Sequence, residues 1–373
     1  MTLDTDLIDV AGSRQMLDTP ALLVELAALK RNIARMAKCA VSRGIALRPH
    51  AKSHKSTEIA RLQLEAGAIG VSCATLGEAE IMLRAGIHGV LVTSPVVGIR
   101  KIRRLIEWAG KAGAGQLMVV ADHPDNVEAL AAAAAGLGHR LPVLVDYHSG
   151  YHRTGVANAA AAVALARQIA QSDTLSFAGL QAYGGNIQHL GNRHEREQAA
   201  AQLRETVAEI VAAIENAGLE VAIVTGVGTG TQEFDSVGQV FTEMQPGSYL
   251  FMDSDYLKVL TDSLRAAPFE TSLFVQSTVV SVNAPDWVTV DAGIKSLATD
   301  SGKPTVARGI AGPSIYEFFG DEHGKLIVDA AHRPALGERI EFTTSHCDPT
   351  VNLHRRYHVV DGDTLVAIWP IGA

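Results

Sequence analysis

Short apolar runs alternate with longer amphipathic segments between about residue 20 and about residue 260. Eight of these runs are mostly Val, Ile, Leu or Ala, the composition of strands that a parallel sheet buries on both faces. They cover residues 45–50, 70–75, 89–95, 117–122, 142–148, 178–185, 222–230 and 244–253. Apolar residues recur at helical spacing between the runs, and several of these segments end in glycine, a common residue after a helix. Eight successive β/α steps predict a (β/α)8 barrel. A doubly wound sheet is the alternative, but it fits eight regular units without a reversal less well.

A different pattern begins at about residue 265. Segments such as TSLFVQSTVVSV (271–282) and RYHVVDGDTLVAIWP (356–370) predict β-strands joined by turns. The fold class is therefore α/β, with a TIM-type barrel and a C-terminal all-β domain. We place the barrel at residues 20–262 and build the β-domain from residues 1–19 and 263–373.

The composition of the chain excludes several classes of function. The net charge of −8 argues against binding to nucleic acid or to an anionic membrane. Three cysteines give no disulfide framework and suit a reducing cytosol. The first residues contain no apolar signal-peptide core, and no apolar run approaches the roughly 18 residues of a membrane span. We therefore expect a cytoplasmic protein that binds neither nucleic acid nor a membrane.

Polar and titratable residues gather where the predicted barrel strands end. In a (β/α)8 barrel, functional residues lie at the carboxyl ends of the strands. The segments at these ends are RPHAKSHK (48–55), DYHSGYHRTG (146–155), QAYGGNIQH (181–189), TGVGTGT (225–231) and QPGS (245–248). The barrel reading therefore predicts a single site that these five segments share.

The TGVGTGT segment has the features of a phosphate-binding turn. Its glycines let the main chain approach a ligand closely, and main-chain N–H groups in such a turn can bind an anion. No Gly-Lys-Ser/Thr follows it, so it is not a Walker loop, and an ordinary tight turn is the alternative. Barrels often bind phosphate in the loops after strands seven and eight, and QPGS supplies the second loop. Together the two loops predict a phosphate site.

Lys52 directly follows the first predicted strand and would point into the mouth of the barrel. A lysine that faces a phosphate site suggests pyridoxal 5′-phosphate (PLP), whose phosphate is anchored at one end and whose aldehyde forms a Schiff base at the other. For a lone lysine, a solvated surface charge is the ordinary explanation. We apply that explanation to Lys55, which begins the next turn, and assign the cofactor to Lys52.

These segments in combination, extended by YLFMDSDY (249–256), resemble the D-threonine aldolase and D-serine dehydratase family of alanine-racemase-like (fold type III) PLP enzymes. The resemblance runs from about residue 18 to the C-terminus. It implies Lys52 as the Schiff-base lysine, Arg153 as a contact of the cofactor's phenolic oxygen and Tyr183 as a pocket residue. The residues that match the phosphate cradle are Gly228, Thr229, Gly247 and Ser248. The resemblance also suggests a homodimer.

A second candidate site lies in SHCDPTVNLH (345–354). His346 and Asp348 are two residues apart, a spacing that puts both on one face of an extended strand and points Cys347 away. On spacing alone, an ordinary strand with an ion pair is the better explanation. The family resemblance implies instead a divalent metal held by a His-x-Asp or His-x-Cys pair. An Asp ligand favours Mn²⁺ or Mg²⁺.

The resemblance leaves two reactions to compare. His-x-Asp resembles the aldolases, which cleave D-3-hydroxy amino acids to glycine and an aldehyde, and His-x-Cys resembles the dehydratases, which form a 2-oxo acid and ammonia. Asp348 therefore favours the aldolase, in which His189 is the candidate base, although a lone loop histidine is more often structural. A PLP-binding protein without catalysis and a racemase remain as alternatives. The first would not need the β-domain, and the second would give the metal pair no role.

Overall fold

The computed structural model describes residues 4–261 and 266–372. The helices in these ranges are α1 (Leu26–Ser42), α2 (Thr57–Glu65), α3 (Leu76–Arg84), α4 (Ile99–Ala112), α5 (Pro124–Ala133), α6 (Ala159–Ala170), α7 (Arg193–Asn216), α8 (Gln232–Asp235), α9 (Ser254–Leu260) and α10 (Cys347–Asn352). The strands are β1 (Ala21–Glu25), β2 (Ala46–Leu47), β3 (Ser72–Cys73), β4 (Val90–Val92), β5 (Leu117–Ala121), β6 (Leu141–Asp146), β7 (Leu175–Gln181), β8 (Ile223–Gly226), β9 (Glu243–Met244), β10 (Leu273–Ser281), β11 (Trp287–Val290), β12 (Thr305–Arg308), β13 (Ser314–Phe318), β14 (Gly324–Val328), β15 (Arg339–Thr343), β16 (Arg356–Asp361) and β17 (Thr364–Pro370). None of the helices is both long and apolar enough to cross a membrane.

The chain forms two compact units, of which residues 36–52 and 57–247 make one. This unit contains eight parallel strands in the order β2-β9-β8-β7-β6-β5-β4-β3. A parallel bridge between His50 and Ser72 joins the two edges of the sheet. All eight predicted barrel strands are present, and helices connect most of them, which confirms the predicted (β/α)8 architecture.

The strands of the barrel are buried, as their composition requires. Val90–Val92 and Leu117–Ala121 are buried at every position. Leu91, Met118 and Leu144, from adjacent strands, pack into one apolar cluster. A sheet that is covered on both faces in this way keeps its polar residues for the ends of the strands.

The second unit contains residues 1–35, 53–56 and 248–373. Its strands form a mostly antiparallel sheet in the order β13-β14-β11-β10-β1-β16-β17, and β15 pairs with both β10 and β12. This sheet confirms the predicted all-β character of the C-terminal part. The buried guanidinium of Arg14 bonds to Glu341 at 2.7 Å and to Glu25 at 2.6 Å, so it ties the N-terminal segment to the sheet.

The two compact units and the predicted domain limits differ at both ends of the barrel. We placed residues 20–262 in the barrel, but β1 pairs with β10 and β16 of the nine-stranded sheet. Residues 248–261 also group with the β-rich unit. The predicted boundary between residues 262 and 263 lies outside the described ranges.

Candidate active site

Lys52 lies just beyond β2, in a short 3₁₀ turn formed by Ala51–Ser53. Its side chain is half-buried, and its main-chain N–H donates to Nδ1 of His50 at 3.4 Å. Nε2 of His50 is in turn 3.1 Å from the Thr93 hydroxyl, at the end of β4. Lys52 is therefore at the carboxyl end of the barrel strands, where the sequence placed it. Lys55 instead donates to Asn352 at 2.6 Å on an exposed surface.

Arg153 and Tyr183 line one open, shallow pocket. The pocket lies beyond β6 and β7 and is otherwise lined by Asp146, Tyr147, His148, Tyr151, Thr154 and Gln181. Arg153 is exposed, and its guanidinium carbon lies 5.4 Å from the centre of the Tyr151 ring. The structure thus brings together the predicted phenolate contact and the predicted pocket tyrosine.

Two aspartates fasten the loop that carries Arg153. The Thr154 hydroxyl donates to Asp146 at 2.7 Å, and the Gly155 N–H donates to Asp122 at 2.8 Å. Burial raises the pKa of Asp146 to about 6, against the hydrogen bonds from Gln181 and Thr154, which lower it. A loop fixed on the C-terminal side of Arg153 can hold the guanidinium in place without using the guanidinium's own hydrogen bonds. Asp146 thus joins this loop to the end of β6 and to Gln181 of β7.

The side chain of Gln188 supports the glycine-rich turn after β8 through hydrogen bonds. The Gln188 amide oxygen accepts a hydrogen bond from the Gly230 N–H at 2.9 Å, and its nitrogen donates to the Thr231 hydroxyl at 3.0 Å. A Cβ on Gly228 would lie 2.3 Å from the same amide oxygen, so only glycine allows this approach. Gln188 is 1% exposed and was not singled out by sequence reasoning, although it belongs to the QAYGGNIQH segment.

The buried hydroxyls of this turn suit a bound ligand. Thr225 is 0% exposed, and its hydroxyl has no hydrogen-bond partner among residues 4–261 and 266–372. Thr229, which was predicted to belong to the phosphate cradle, is also buried. Gly247 follows β9 at the same end of the sheet and is half-buried. A glycine-rich turn that follows a strand with a buried, unpaired threonine hydroxyl fits the phosphate group of a cofactor such as PLP.

Two further predicted residues have different surroundings. Ser248 is buried and begins a 3₁₀ turn, Ser248–Leu250, where its hydroxyl hydrogen-bonds with Cys347. His189 directly follows the buried Gln188 but is itself exposed. The assignments of Ser248 to the phosphate and of His189 to proton transfer remain predictions.

The predicted strand at the metal pair is wrong. Strand β15 ends at Thr343, and Cys347–Asn352 forms helix α10 with His346 as its N-cap. The Asp253 carboxylate accepts a hydrogen bond from the Cys347 N–H at 2.8 Å and so satisfies one of the free N–H groups at the start of the helix. The prediction failed because a two-residue spacing fits a strand and a helix start equally well, and a distant carboxylate selects the helix.

The three residues nevertheless differ in exposure. His346 and Asp348 are half-buried, whereas Cys347 is fully buried and turned inward. Burial, with the nearby Asp253 and Asp348 charges, raises the pKa of the Cys347 thiol well above its usual value. Full burial keeps the Cys347 thiol away from solvent, whereas His346 and Asp348 are partly exposed.

His346 is the better-defined half of the pair. Its Nδ1 lies 2.5 Å from a carboxylate oxygen of Asp300, which leaves Nε2 as the nitrogen that can bind a metal. The described ranges contain no group of three or more His, Cys, Asp or Glu side chains arranged around a common ion. His346 and Asp348 offer one imidazole nitrogen and one carboxylate, both of which are donors that divalent metal ions accept.

Comparison with known families matches both parts of the chain. Residues 24–255 match the family model described as alanine racemase, N-terminal domain. Residues 272–360 match the model described as putative serine dehydratase domain. The first match covers the barrel and the second covers most of the β-rich segment.

Individual proteins are similar to the chain over almost its full length. A D-threonine aldolase from Arthrobacter sp. is 39% identical over 358 residues, which cover 95% of this chain and 92% of that protein. A 3-hydroxy-D-aspartate aldolase from Paracoccus denitrificans (strain Pd 1222) is 35% identical over 363 residues, or 96% and 92% of the two chains. The crystal structure of D-threonine aldolase from Filomicrobium marinum superposes with a TM-score of 0.92 at 40% identity and covers 96% of both chains.

Proposed function

The chain belongs to the D-threonine aldolase and D-serine dehydratase family of alanine-racemase-like enzymes, and from this we propose that it is a PLP- and divalent-metal-dependent D-threonine aldolase. The family assignment made from sequence motifs is confirmed, and the enzyme is a lyase. The proposed reaction cleaves the Cα–Cβ bond of a D-3-hydroxy amino acid and yields glycine and an aldehyde. The observation that carries the proposal is the near full-length similarity to two aldolases that act on such substrates.

The residues of the barrel support a role in holding the cofactor. Lys52 would bind PLP covalently, and the turn around Gly228 and Thr229, with Gly247 and Ser248, would hold its phosphate. Arg153 would place a fixed positive charge at the phenolic oxygen, and Tyr183 would line the pocket. When bound, PLP supplies an electron sink for the charge that develops at Cα as the bond to Cβ breaks.

The proposed reaction also requires two proton transfers. The β-hydroxyl must lose its proton before the Cα–Cβ bond can break, and Cα of the resulting glycine must gain one. His189 is the candidate base for the first transfer, because it follows β7 at the carboxyl end of the barrel and is exposed to solvent. His346 and Asp348 would hold a Mn²⁺ or Mg²⁺ ion, and such an ion lowers the pKa of a hydroxyl group that it binds.

The assembly and location of the enzyme are part of the proposal. We expect a homodimer, as the motif resemblance suggests, and a cytoplasmic enzyme, which is consistent with three free cysteines. A D-serine or D-threo-3-hydroxyaspartate dehydratase is the competing function, because residues 272–360 match a putative serine dehydratase domain. That reaction would eliminate the β-hydroxyl and release a 2-oxo acid and ammonia.

A product assay separates the two functions. The purified protein is incubated with PLP, Mn²⁺ and D-threonine, with and without EDTA, and both product pairs are quantified. Glycine and acetaldehyde in equal amounts, formed only when the metal is present, would support the aldolase. If 2-oxobutanoate and ammonia form instead, the aldolase proposal is wrong and the dehydratase replaces it.

A further inference from the structure

The imidazole of His346 has a carboxylate partner that the mechanism above does not use. Nδ1 of His346 lies 2.5 Å from an Oδ atom of Asp300, a residue 46 positions earlier in the chain. A carboxylate at this distance accepts the Nδ1–H proton and so fixes the tautomer in which Nε2 carries a free lone pair. Nothing in the sequence pattern around Asp300 indicated this contact.

The turn that carries Asp300 is fastened to the segment that carries His346. The Ser345 hydroxyl donates to the Ala298 carbonyl at 3.1 Å. The Ala298 N–H donates to the Thr350 hydroxyl at 3.1 Å, and that hydroxyl donates to the His346 carbonyl at 2.8 Å. These hydrogen bonds hold the main chain near Asp300 against the main chain near His346. The imidazole–carboxylate contact is therefore supported by the segments that carry its two residues.

We propose that Asp300 is a positioning residue for the metal site. It orients the His346 ring, fixes its tautomer and makes Nε2 a stronger donor, as carboxylates behind metal-binding histidines generally do. The inference rests on the proposed function, in which His346 binds a divalent metal. Loss of such a partner typically weakens metal binding or activity about 10- to 100-fold.

The chain offers a matched control. His332 and Asp329 form the same kind of pair, with Nδ1 2.7 Å from the carboxylate, and both pairs are partly exposed. His332 has no proposed ligand, so cutting this pair removes an equivalent contact without touching the metal site. Asp329 also accepts a hydrogen bond from the His332 N–H at 3.0 Å, so the Asp329→Ala variant reports the loss of a surface imidazole–carboxylate contact together with that of a main-chain hydrogen bond.

The experiment measures Mn²⁺ affinity directly. PLP-loaded protein is stripped of metal with EDTA, the EDTA is removed, and Mn²⁺ binding is followed by calorimetry for wild type, Asp300→Ala, Asp300→Asn, Asp329→Ala and His346→Ala. We expect Asp300→Ala to weaken Mn²⁺ binding about 10- to 100-fold. Asp300→Asn should weaken it less, because its amide oxygen still accepts from Nδ1, and Asp329→Ala should match wild type. Turnover of D-threonine by Asp300→Ala should return toward the wild-type value at saturating Mn²⁺.

The outcomes separate this inference from the proposed function. If His346→Ala abolishes Mn²⁺ binding but both Asp300 variants bind like wild type, the positioning role is wrong and the metal site stands. If wild type itself binds neither Mn²⁺ nor Mg²⁺ titrated in the same way, both are wrong. A lower melting temperature of Asp300→Ala with unchanged Mn²⁺ affinity would reduce the contact to a structural one and overturn the inference. Should Asp300→Ala not fold, Asp300→Asn, which has the same size, decides the question.

Discussion

The side chain of Gln188 accepts a hydrogen bond from the Gly230 N–H at 2.9 Å and thereby sets the shape of the glycine-rich turn after β8. The two residues also meet through the main chain, since a Cβ on Gly230 would lie 2.1 Å from the Gln188 carbonyl oxygen. A side chain at position 230 would therefore have to displace the turn or the Gln188 main chain. The proposed phosphate site therefore depends on the absence of a Cβ at position 230.

Gly230→Ala should displace the turn and weaken the binding of PLP. We expect at least a tenfold loss of PLP affinity and a free energy of unfolding lower by about 1–3 kcal/mol, the usual cost of overpacking. The measurement is a titration of the apoprotein with PLP, followed by cofactor absorption, together with urea unfolding. Gly191→Ala is the matched control, because a Cβ there meets no atom within 4 Å. Equal PLP affinities of the two variants would contradict a phosphate role for the turn.

Lys52→Ala should remove the covalent link to PLP. The variant is expected to lose the visible absorption of the lysine-bound cofactor and at least 1,000-fold in turnover, on the order of a lost covalent catalyst. Lys55→Ala is the control, since Lys55 only donates to Asn352 on the surface and its loss should cost about 1 kcal/mol of stability or less. Absorption spectra and D-threonine cleavage check both variants. If Lys55→Ala loses the visible band and Lys52→Ala keeps it, the assignment of the lysine is reversed.

Asp348→Ala should abolish Mn²⁺ binding, whereas Cys347→Ala should retain it. The Asp348 carboxylate is half-buried and offers oxygen atoms to a metal. The Cys347 thiol, in contrast, is fully buried, and this burial raises its pKa. Cys347→Ala should instead lower the free energy of unfolding by about 1 kcal/mol, because a small buried group is lost. Calorimetry with Mn²⁺ and thermal unfolding distinguish the two effects. Loss of Mn²⁺ binding in Cys347→Ala alone would identify the thiol as the ligand.

Because Asp235 is buried, the free energy of unfolding should fall as the pH rises from about 4 to about 7. Burial raises its pKa from 3.8 to about 7, although a hydrogen bond from Thr231 and the charge of Arg204 lower it. Between these pH values the folded state binds a proton that the unfolded state has lost, so the free energy of unfolding falls with increasing pH. At about 1.4 kcal/mol per pKa unit, the upper limit for this carboxyl is on the order of 4 kcal/mol.

The Asp235→Asn variant tests whether the free energy of unfolding falls with increasing pH because of Asp235. The amide does not titrate, so the variant should gain stability relative to wild type when the pH is raised from 5 to 8. Urea unfolding at the two pH values gives the difference, and Asp173→Asn serves as a control because Asp173 is exposed. A constant difference between wild type and Asp235→Asn across this range would show that Asp235 is ionised throughout.

The sequence alone determined the architecture and the end of the barrel that carries the site. Eight Val-, Ile- and Leu-rich runs separated by helical periods specify parallel strands, because only buried strands tolerate continuous apolar composition. Once the strands are parallel, their carboxyl ends share one edge, so Lys52, Arg153, Tyr183 and Gly228 come to that edge by topology alone. Their separate roles are still predictions, because position at an edge does not specify which atoms meet a ligand.

Only the tertiary structure decided the local form of the metal pair and the residues that support both sites. The spacing of His346 and Asp348 allows a strand or a helix start, and the Asp253 carboxylate, 94 positions away from Cys347, favours the helix. The Asp300 contact with His346 likewise spans 46 positions. Sequence periodicity reports on neighbours within a few residues, whereas these hydrogen bonds depend on how distant segments pack, and so they appear only when the chain is folded.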